Sequence, residues 1–387
     1  MIEFLSPVSS LLAAHKEVLP QQVLGNQILV HTEQNGFPDL KNCKLALVGV
    51  TESRKSIQYI GETPNYEMIR REFYTLFPGN WYTKIADLGD IHAGETVEDT
   101  YFALKTVVEE LLKSNIIPII IGGSQDLLYP IYRAFDYQKK MINIVNVDSK
   151  FDIGNADAPI HSESYIGKMV VEKPYNLFNY SNIGYQTYFN SAEEIALLEK
   201  MYFDAYRLGE VVKNISLVEP IMRDADITVI DIAAIRSSEL SYIGSSSPNG
   251  FDGREICAIA RYAGLSNSLA AFGVFEVNRP VKNEITGMLL AQVLWYFIEG
   301  VNFRMDDGNF ENDKDYLTYK VPVEEEVLVF KKSNTTERWW IELPLISNVN
   351  NKSKRHTLLP CTREDYEKAC SLELPERWIK AHKKSLI

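Results

Sequence analysis

The sequence has few cysteines, no long apolar run and no excess of basic residues, and each shortage removes a class of protein. Its four cysteines, at positions 43, 257, 361 and 370 of 387 residues, never stand in C-x-x-C spacing. That usage argues against a disulfide framework or zinc finger and fits a reduced intracellular chain. No stretch approaches the ~20 apolar residues that span a bilayer. Residues 1–5 include Glu3 where a secretory leader would carry basic residues, and the apolar stretch 11–14 is broken by His15, Lys16 and Glu17. A cytoplasmic protein without a membrane span is expected. Lysine and arginine number 40 against 52 aspartates and glutamates, a formal charge of −12. Such a surface repels nucleic acid and anionic membranes unless a basic patch is segregated. The densest basic stretch, 352–356, is short and follows the acidic run 324–326, so no nucleic-acid partner is expected.

What is present is core. With 45% apolar and 11% aromatic residues, the chain can bury a large interior and is neither disordered nor collagenous. Between 44 and 303, short Val/Ile-rich runs alternate with amphipathic stretches. The runs 45–50, 83–88, 117–121, 142–147, 181–185, 227–232 and 270–275 predict strands. The stretches 96–113, 126–135, 192–200, 253–263 and 284–299 predict helices. Continuous apolar runs separated by helical lengths are the pattern of parallel strands covered on both faces, so a doubly wound α/β domain is expected. Residues 1–43 read as a lead-in without regular spacing. The acidic, Asn-rich 306–315 reads as a linker. Beyond it, 317–321, 327–330 and 338–346 read as strands and 363–369 as a closing helix. The extension 304–387 is too aromatic to be disordered, with Trp339, Trp340, Tyr366 and Trp378, and is expected to pack on the core or a partner.

In open α/β sheets, ligands bind at the carboxyl ends of strands. Three ends carry polar signals: Gly122-Gly123-Ser124-Gln125-Asp126, Asp148-Ser149-Lys150-Phe151-Asp152, and Asp231-Ile232-Ala233. Acids after strands serve equally well as helix caps or as a site.

Their order and spacing resemble the ureohydrolase family of arginase, agmatinase and formimidoylglutamase, whose pattern is GGxH, then DxHxD, then DxD. The likeness extends to Asp87-Leu88-Gly89-Asp90, to Pro248-Asn249-Gly250-Phe251 with Arg254-Glu255, and to Glu276-Val277-Asn278 with Pro280 and Thr286. The formimidoylglutamase branch is the nearest in flavour. The resemblance implies an arginase-like three-layer α/β/α fold with a mainly parallel sheet, a trimeric or hexameric homo-oligomer, and a dimanganese centre that hydrolyses a guanidino or formimino C–N bond. Two cations of that kind lower the pKa of a bridging water.

Carried over position by position, the ligand set is broken. Gln125 replaces the GGxH histidine, Lys150 the DxHxD histidine and Ala233 the second DxD acid, while Asp148, Asp152 and Asp231 remain. An ammonium repels a nearby cation by roughly 4 kcal/mol per unit charge at about 4 Å and an effective dielectric near 20, so a divalent ion beside Lys150 would lose about twice that. No bound metal or other cofactor is therefore expected. Lys150 is expected to neutralise Asp148, Asp152 and Asp231 itself. Manganese held weakly by those three acids is the alternative, and with it a divergent hydrolase.

Other candidates carry ordinary alternatives. His161, Ser162 and Ser164 fall where the family contacts substrate, although a loop histidine commonly caps or is solvated. Glu276 would position a substrate cation, or pair with Arg254 or Lys150. Residues 49–56 approach a P-loop, but Arg54 stands where a glycine must let the backbone wrap phosphates. The expected function is a binding or protein-interaction module that has lost catalysis. A small cationic ligand would sit at the acids and a protein partner at the C-terminal extension.

Overall fold

A computed structural model of the chain describes residues 1–59, 61–155, 157–240, 247–309, 312, 314–343 and 358–385. Its strands are β1 (Leu29–Val30), β2 (Cys43–Val50), β3 (Lys84–Ile91), β4 (Ile117–Gly122), β5 (Ile142–Val147), β6 (Leu177–Tyr185), β7 (Asp204–Arg207), β8 (Ile227–Asp231) and β9 (Ala271–Phe275), followed by β10 (Tyr316–Val323), β11 (Glu326–Ser333), β12 (Trp339–Glu342) and β13 (Leu358–Cys361). The helices in the first half are α1 (Ser10–Glu17), α2 (Leu24–Gln27), α3 (Glu67–Thr75), α4 (Val97–Lys113), α5 (Leu128–Arg133), α6 (Tyr165–Val171) and α7 (Ala192–Lys200). Those that follow are α8 (Leu208–Lys213), α9 (Val218–Arg223), α10 (Gly253–Leu265), α11 (Glu284–Asn302), α12 (Arg363–Cys370) and α13 (Glu376–Ser385).

Strands β1 to β9 form one sheet in the order β1-β3-β2-β4-β9-β8-β5-β6-β7, and all eight strand pairings within it are parallel. Side chains alternate between its faces with period two. Leu45, Leu47, Ile119, Ile121, Val145 and Val147 pack with α3, α10 and α11. Ala46, Val48, Ile120, Ile142 and Ile144 pack with α4, α5 and α6. The apolar runs are continuous because both faces are covered. Capping boxes start α4 (Thr96 with Asp99), α7 (Ser191 with Glu194), α10 (Asp252 with Glu255) and α12 (Thr362 with Asp365). Helices α10 and α11 cross at Gly264 and Gly300, where a Cβ on Gly264 would lie 2.1 Å from the Phe297 carbonyl oxygen.

All seven expected strands of the main unit are present. Sequence reading missed β1 and β7, both at the sheet's outer edges, because two to four residues of half-exposed strand carry no apolar run. It also missed α1 within the lead-in, and α3, α6, α8 and α9. The expected helix 126–135 is shorter: residues Gln125–Leu127 form a 3-10 turn and α5 begins at Leu128.

The C-terminal segment builds its own antiparallel sheet, β10-β11-β12-β13, over a small core of Val321, Val323, Leu328, Phe330, Ile341 and Trp378. It is fastened to the main sheet's helices. The Arg223 guanidinium on α9 donates to the carbonyls of Trp339 (3.0 Å) and Cys361 (2.8 Å) and lies 4.8 Å from the Trp340 ring centroid. Glu219 pairs with Arg338 at 3.1 Å. On α13, Lys384 Nζ donates to Asn179 Oδ1 of β6 at 2.7 Å. The expected strand 338–346 is observed as β12, and its last three residues, like the basic stretch 352–356, lie outside the described residues. Among the described residues no helix is long and apolar enough to cross a membrane.

Candidate functional site

Four neighbouring strands, β4, β9, β8 and β5, end on the same edge of the sheet, and each delivers one polar side chain just beyond its last residue or at it. These are Gln125 after β4, Glu276 after β9, Asp231 ending β8 and Asp148 after β5. Asp152 joins them from the same loop as Asp148. Asp148, Asp152 and Gln125 are at most 3% exposed, and Asp231 is 7% exposed. Asp152 and Glu276 adopt left-handed backbone, φ 54° and 62°, a conformation that costs non-glycine residues energy and collects at functional sites.

The acids are organised by neutral groups. Gln125 Nε2 donates to Asn146 Oδ1 (2.9 Å) and to the Tyr165 hydroxyl (3.2 Å). Asn146 Nδ2 donates in turn to Asp148 Oδ2 at 3.2 Å, and the Tyr165 hydroxyl donates to Asp152 Oδ2 at 3.1 Å. Asp148 Oδ1 accepts the Lys150 backbone N–H at 2.9 Å, and Asp231 Oδ1 accepts that of Ala233 at 2.6 Å. Glu276 accepts from Gln125 N (2.8 Å) and from the Ser56 hydroxyl (3.0 Å). Gln125 Oε1 is buried without a hydrogen-bond partner.

Lys150 does not fill the place expected of it. Its ammonium pairs with Glu163, and among the described residues it makes no ion pair with Asp148, Asp152 or Asp231. The physical reason is solvation: Lys150 and Glu163 keep side-chain exposures of 29% and 34%, so the pair forms at the rim where the ammonium stays partly hydrated. An ammonium on the floor would lose its water. Burial works against the Lys150 charge, yet Glu163, with Asp152 and Asp148 further away, holds its pKa above the usual lysine value.

With no cation paired to them among the described residues, burial and mutual repulsion raise the pKa values of the floor acids. Burial, then the negative Asp148 and Asp231, pushes Asp152 well above the usual carboxylate range, and its carboxyl donates to Asp148. Burial, then Asp148 and Glu276, does the same to Asp231. Glu276 is pushed up to about 7 by burial, against the pull of its Gln125, Ser56 and Asn278 donors. This is the behaviour of carboxyls sharing a dry site.

The remaining candidates settle into local roles. His161 Nδ1 accepts the Glu163 N–H at 3.2 Å and the His161 N–H donates to Ser164 Oγ at 3.0 Å, so both shape the turn before α6. Ser162 Oγ accepts the Ile57 N–H at 3.3 Å. In the P-loop-like segment, Arg54 is bound to Glu52 and to the carbonyls of Gly94 and Glu95, leaving no nest for phosphate. Arg254 is 95% exposed and pairs with Asp252, not with Glu276. Sequence reasoning missed Asn146, Tyr165 and Glu163. Asn146 had a signal, a polar side chain inside the otherwise apolar end of a buried strand.

This geometry can be set beside known proteins. The arginase family model matches residues 46–299. The chain belongs to the arginase family. A formimidoylglutamase of Geobacillus sp. (strain WCH70) is 24% identical over 211 residues, 51% of this chain and 63% of that protein's length. Among solved structures, Trypanosoma cruzi formiminoglutamase with manganese superposes at TM-score 0.63 and 17% identity, covering 73% of this chain and 99% of that one. The agmatine ureohydrolase of Thermoplasma volcanium superposes at 0.57 and 18% identity, over 74% and 97%. Such likenesses establish the arginase fold.

The side chains of this arginase-family member do not fit a dimanganese centre. Oxygen donors remain on Asp148, Asp152, Asp231 and Gln125, but both nitrogen donors of the pattern are gone, and one of them has become the ammonium of Lys150. Among the described residues no three histidines, cysteines or acids are arranged to hold a metal ion.

Proposed function

We propose that this arginase-family chain no longer works as a ureohydrolase and acts by binding. The observation that carries the reading is the pairing of the two replaced histidine positions: Gln125 is tied into a neutral network with Asn146 and Tyr165, and Lys150 into an ion pair with Glu163. Neither presents a nitrogen lone pair to a cation between the acids, and Gln125 keeps only its amide oxygen. The degenerate site comprises Gln125, Asp148, Lys150, Asp152, Asp231 and Ala233, with His161, Ser162, Ser164 and Glu276 around the former substrate pocket. A small organic cation with N–H donors suits this floor: it would displace protons from the acids and satisfy the Gln125 oxygen. Residues 1–43, 44–303 and 304–387 act as lead-in, α/β unit and extension. The extension offers a protein partner its surface, and the chain works as a cytoplasmic homo-oligomer.

Metal analysis tests the reading. After equilibration of the full chain with manganese and desalting, well under one ion per chain is expected. One or two ions per chain at micromolar affinity would overturn it. The left-handed Asp152 and Glu276 and the unpartnered Gln125 Oε1 support a second reading, a divergent amidinohydrolase holding a metal on Asp148, Asp152 and Asp231. In that case manganese-dependent release of ammonia, formamide or urea from formiminoglutamate, agmatine or arginine accompanies stoichiometric metal.

A further inference from the structure

We propose that a second cavity, beside the acid cluster but separate from it, binds a small organic oxyanion: a carboxylate or phosphate ester on a flat apolar body. The cavity encloses about 400 Å³, within the usual size of ligand pockets. It opens at the carboxyl ends of β6 and β7, between the turn after β6, the start of α8 and residues 248–250, on the sheet edge where ligands bind in this architecture. None of Asp148, Asp152, Asp231 or Glu276 lines it.

Its charge runs against that of the chain. In a protein of net charge −12, the lining contains Arg207 and Arg236 and, among the described residues, no acid. Arg236 is held by Glu239, which accepts from its Nε (2.9 Å) and Nη2 (2.7 Å) from outside the lining. Arg207 is the cross-strand partner of Tyr185, and among the described residues it makes no ion pair with a carboxylate. A guanidinium without an acid partner, beside a second one fixed in place, matches the fork geometry of carboxylate or phosphate oxygens.

The rest of the wall joins aromatic and aliphatic side chains to the polar Gln186, Thr187 and Asn249. Tyr185 is braced by Phe151, with ring centroids 4.9 Å apart. The Tyr188 hydroxyl donates to Gln186 Oε1, while Gln186 Nε2 donates to the Asn249 carbonyl at 3.2 Å. Leu208, Val212 and Pro248 complete the surface, and at Gly209 a Cβ would meet nothing within 4 Å. Aromatic rings beside guanidinium groups favour an anion attached to a planar body over a bare inorganic ion.

Calorimetric titration of the full chain in chloride buffer tests the assignment with phenyl phosphate, benzoate, inorganic phosphate and neutral benzyl alcohol. Phenyl phosphate, benzoate or both should bind at least about tenfold tighter than inorganic phosphate and benzyl alcohol, and the two aryl arms tell phosphate from carboxylate preference. Arg207→Gln, on an exposed side chain, should weaken the aryl anion about tenfold or more, and Tyr188→Ala about threefold. Lys213→Gln, exposed on α8 outside the lining, should leave binding unchanged. Aryl anions that fail to saturate by about 10 mM, benzyl alcohol binding as tightly as they do, or an unchanged affinity in Arg207→Gln would each overturn the proposal.

Discussion

Two clusters of buried carboxylates sit on one sheet and are neutralised in opposite ways. At β3, Asp87 and Asp90 meet Arg70 of α3, whose guanidinium is 2% exposed and pairs with them at 2.9 and 2.7 Å. It also donates to the Gly89 carbonyl at 2.9 Å, and Tyr74 donates to Asp87 at 2.9 Å. Four to five strands away, Asp148, Asp152 and Asp231 have no cation within ion-pair distance among the described residues, and their pKa values rise instead. A rigid arginine aimed from a helix can follow its acids into the core with each of its three guanidinium nitrogens engaged. A lysine on the acids' own loop reaches outward to water. The first cluster is therefore a structural hub, and the second is a group of acids without a cation partner among the described residues.

The strongest way to break this contrast is to remove the arginine. Arg70→Ala should cost about 3–5 kcal/mol in urea unfolding, because it strands the buried Asp87 and the half-buried Asp90. A loss under about 1 kcal/mol would mean that the two clusters are handled alike.

Next in size is restoration of the missing ligands. Gln125→His combined with Lys150→His and Ala233→Asp should recover stoichiometric manganese, and saturation to about 100-fold above Kd should stabilise the variant by about 2.7 kcal/mol. An unchanged melting temperature with manganese would show that the loss extends beyond these three side chains.

The raised Glu276 pKa makes a pH prediction with a definite sign. Glu276 has a folded pKa near 7, above its unfolded value. The folded state thus holds a proton that the unfolded chain releases as pH rises from about 4.5. Its contribution to stability is full below that range and falls as pH rises through 7. Glu276→Gln should remove roughly 2 kcal/mol of the difference in unfolding free energy between pH 5 and pH 8. An identical pH profile in the variant would place an unprotonated carboxylate there.

The smallest effect belongs to the residue that looked most important. Lys150→Met should cost under about 1 kcal/mol, since it breaks a partly exposed pair at the rim. A loss as large as that of Arg70→Ala would show that Lys150 is the counter-ion of the floor after all.

Much of this was legible in order and period. The apolar runs 142–147 and 227–232 are strands within a residue of expectation, so the acids that follow them had to emerge on one edge of a parallel sheet. The segment 192–200 was legible as a helix because Ser191 and Glu194 announce its start. The edge strand β7 was not legible, since its four residues are half-exposed and polar. Lys150 shows the other kind of limit. Its identity excludes a metal ligand, but its partner depended on the reach of a side chain toward Glu163, thirteen residues along. The Asp87-Leu88-Gly89-Asp90 motif was readable as a family mark, while its role as an anchor for Arg70 was not.

By itself, the sequence determined the parallel α/β architecture, the convergence of Asp148, Asp152 and Asp231, and the absence of histidine from the three strand-end motifs, because periodicity, strand ends and residue identity are local properties. Only the tertiary structure decided which counter-charge each acid receives, and that two arginines line a cavity with no acid among its described residues. Those outcomes depend on hydration and on ångström distances between groups far apart in the chain, as when Ser56 reaches Glu276 across 220 residues.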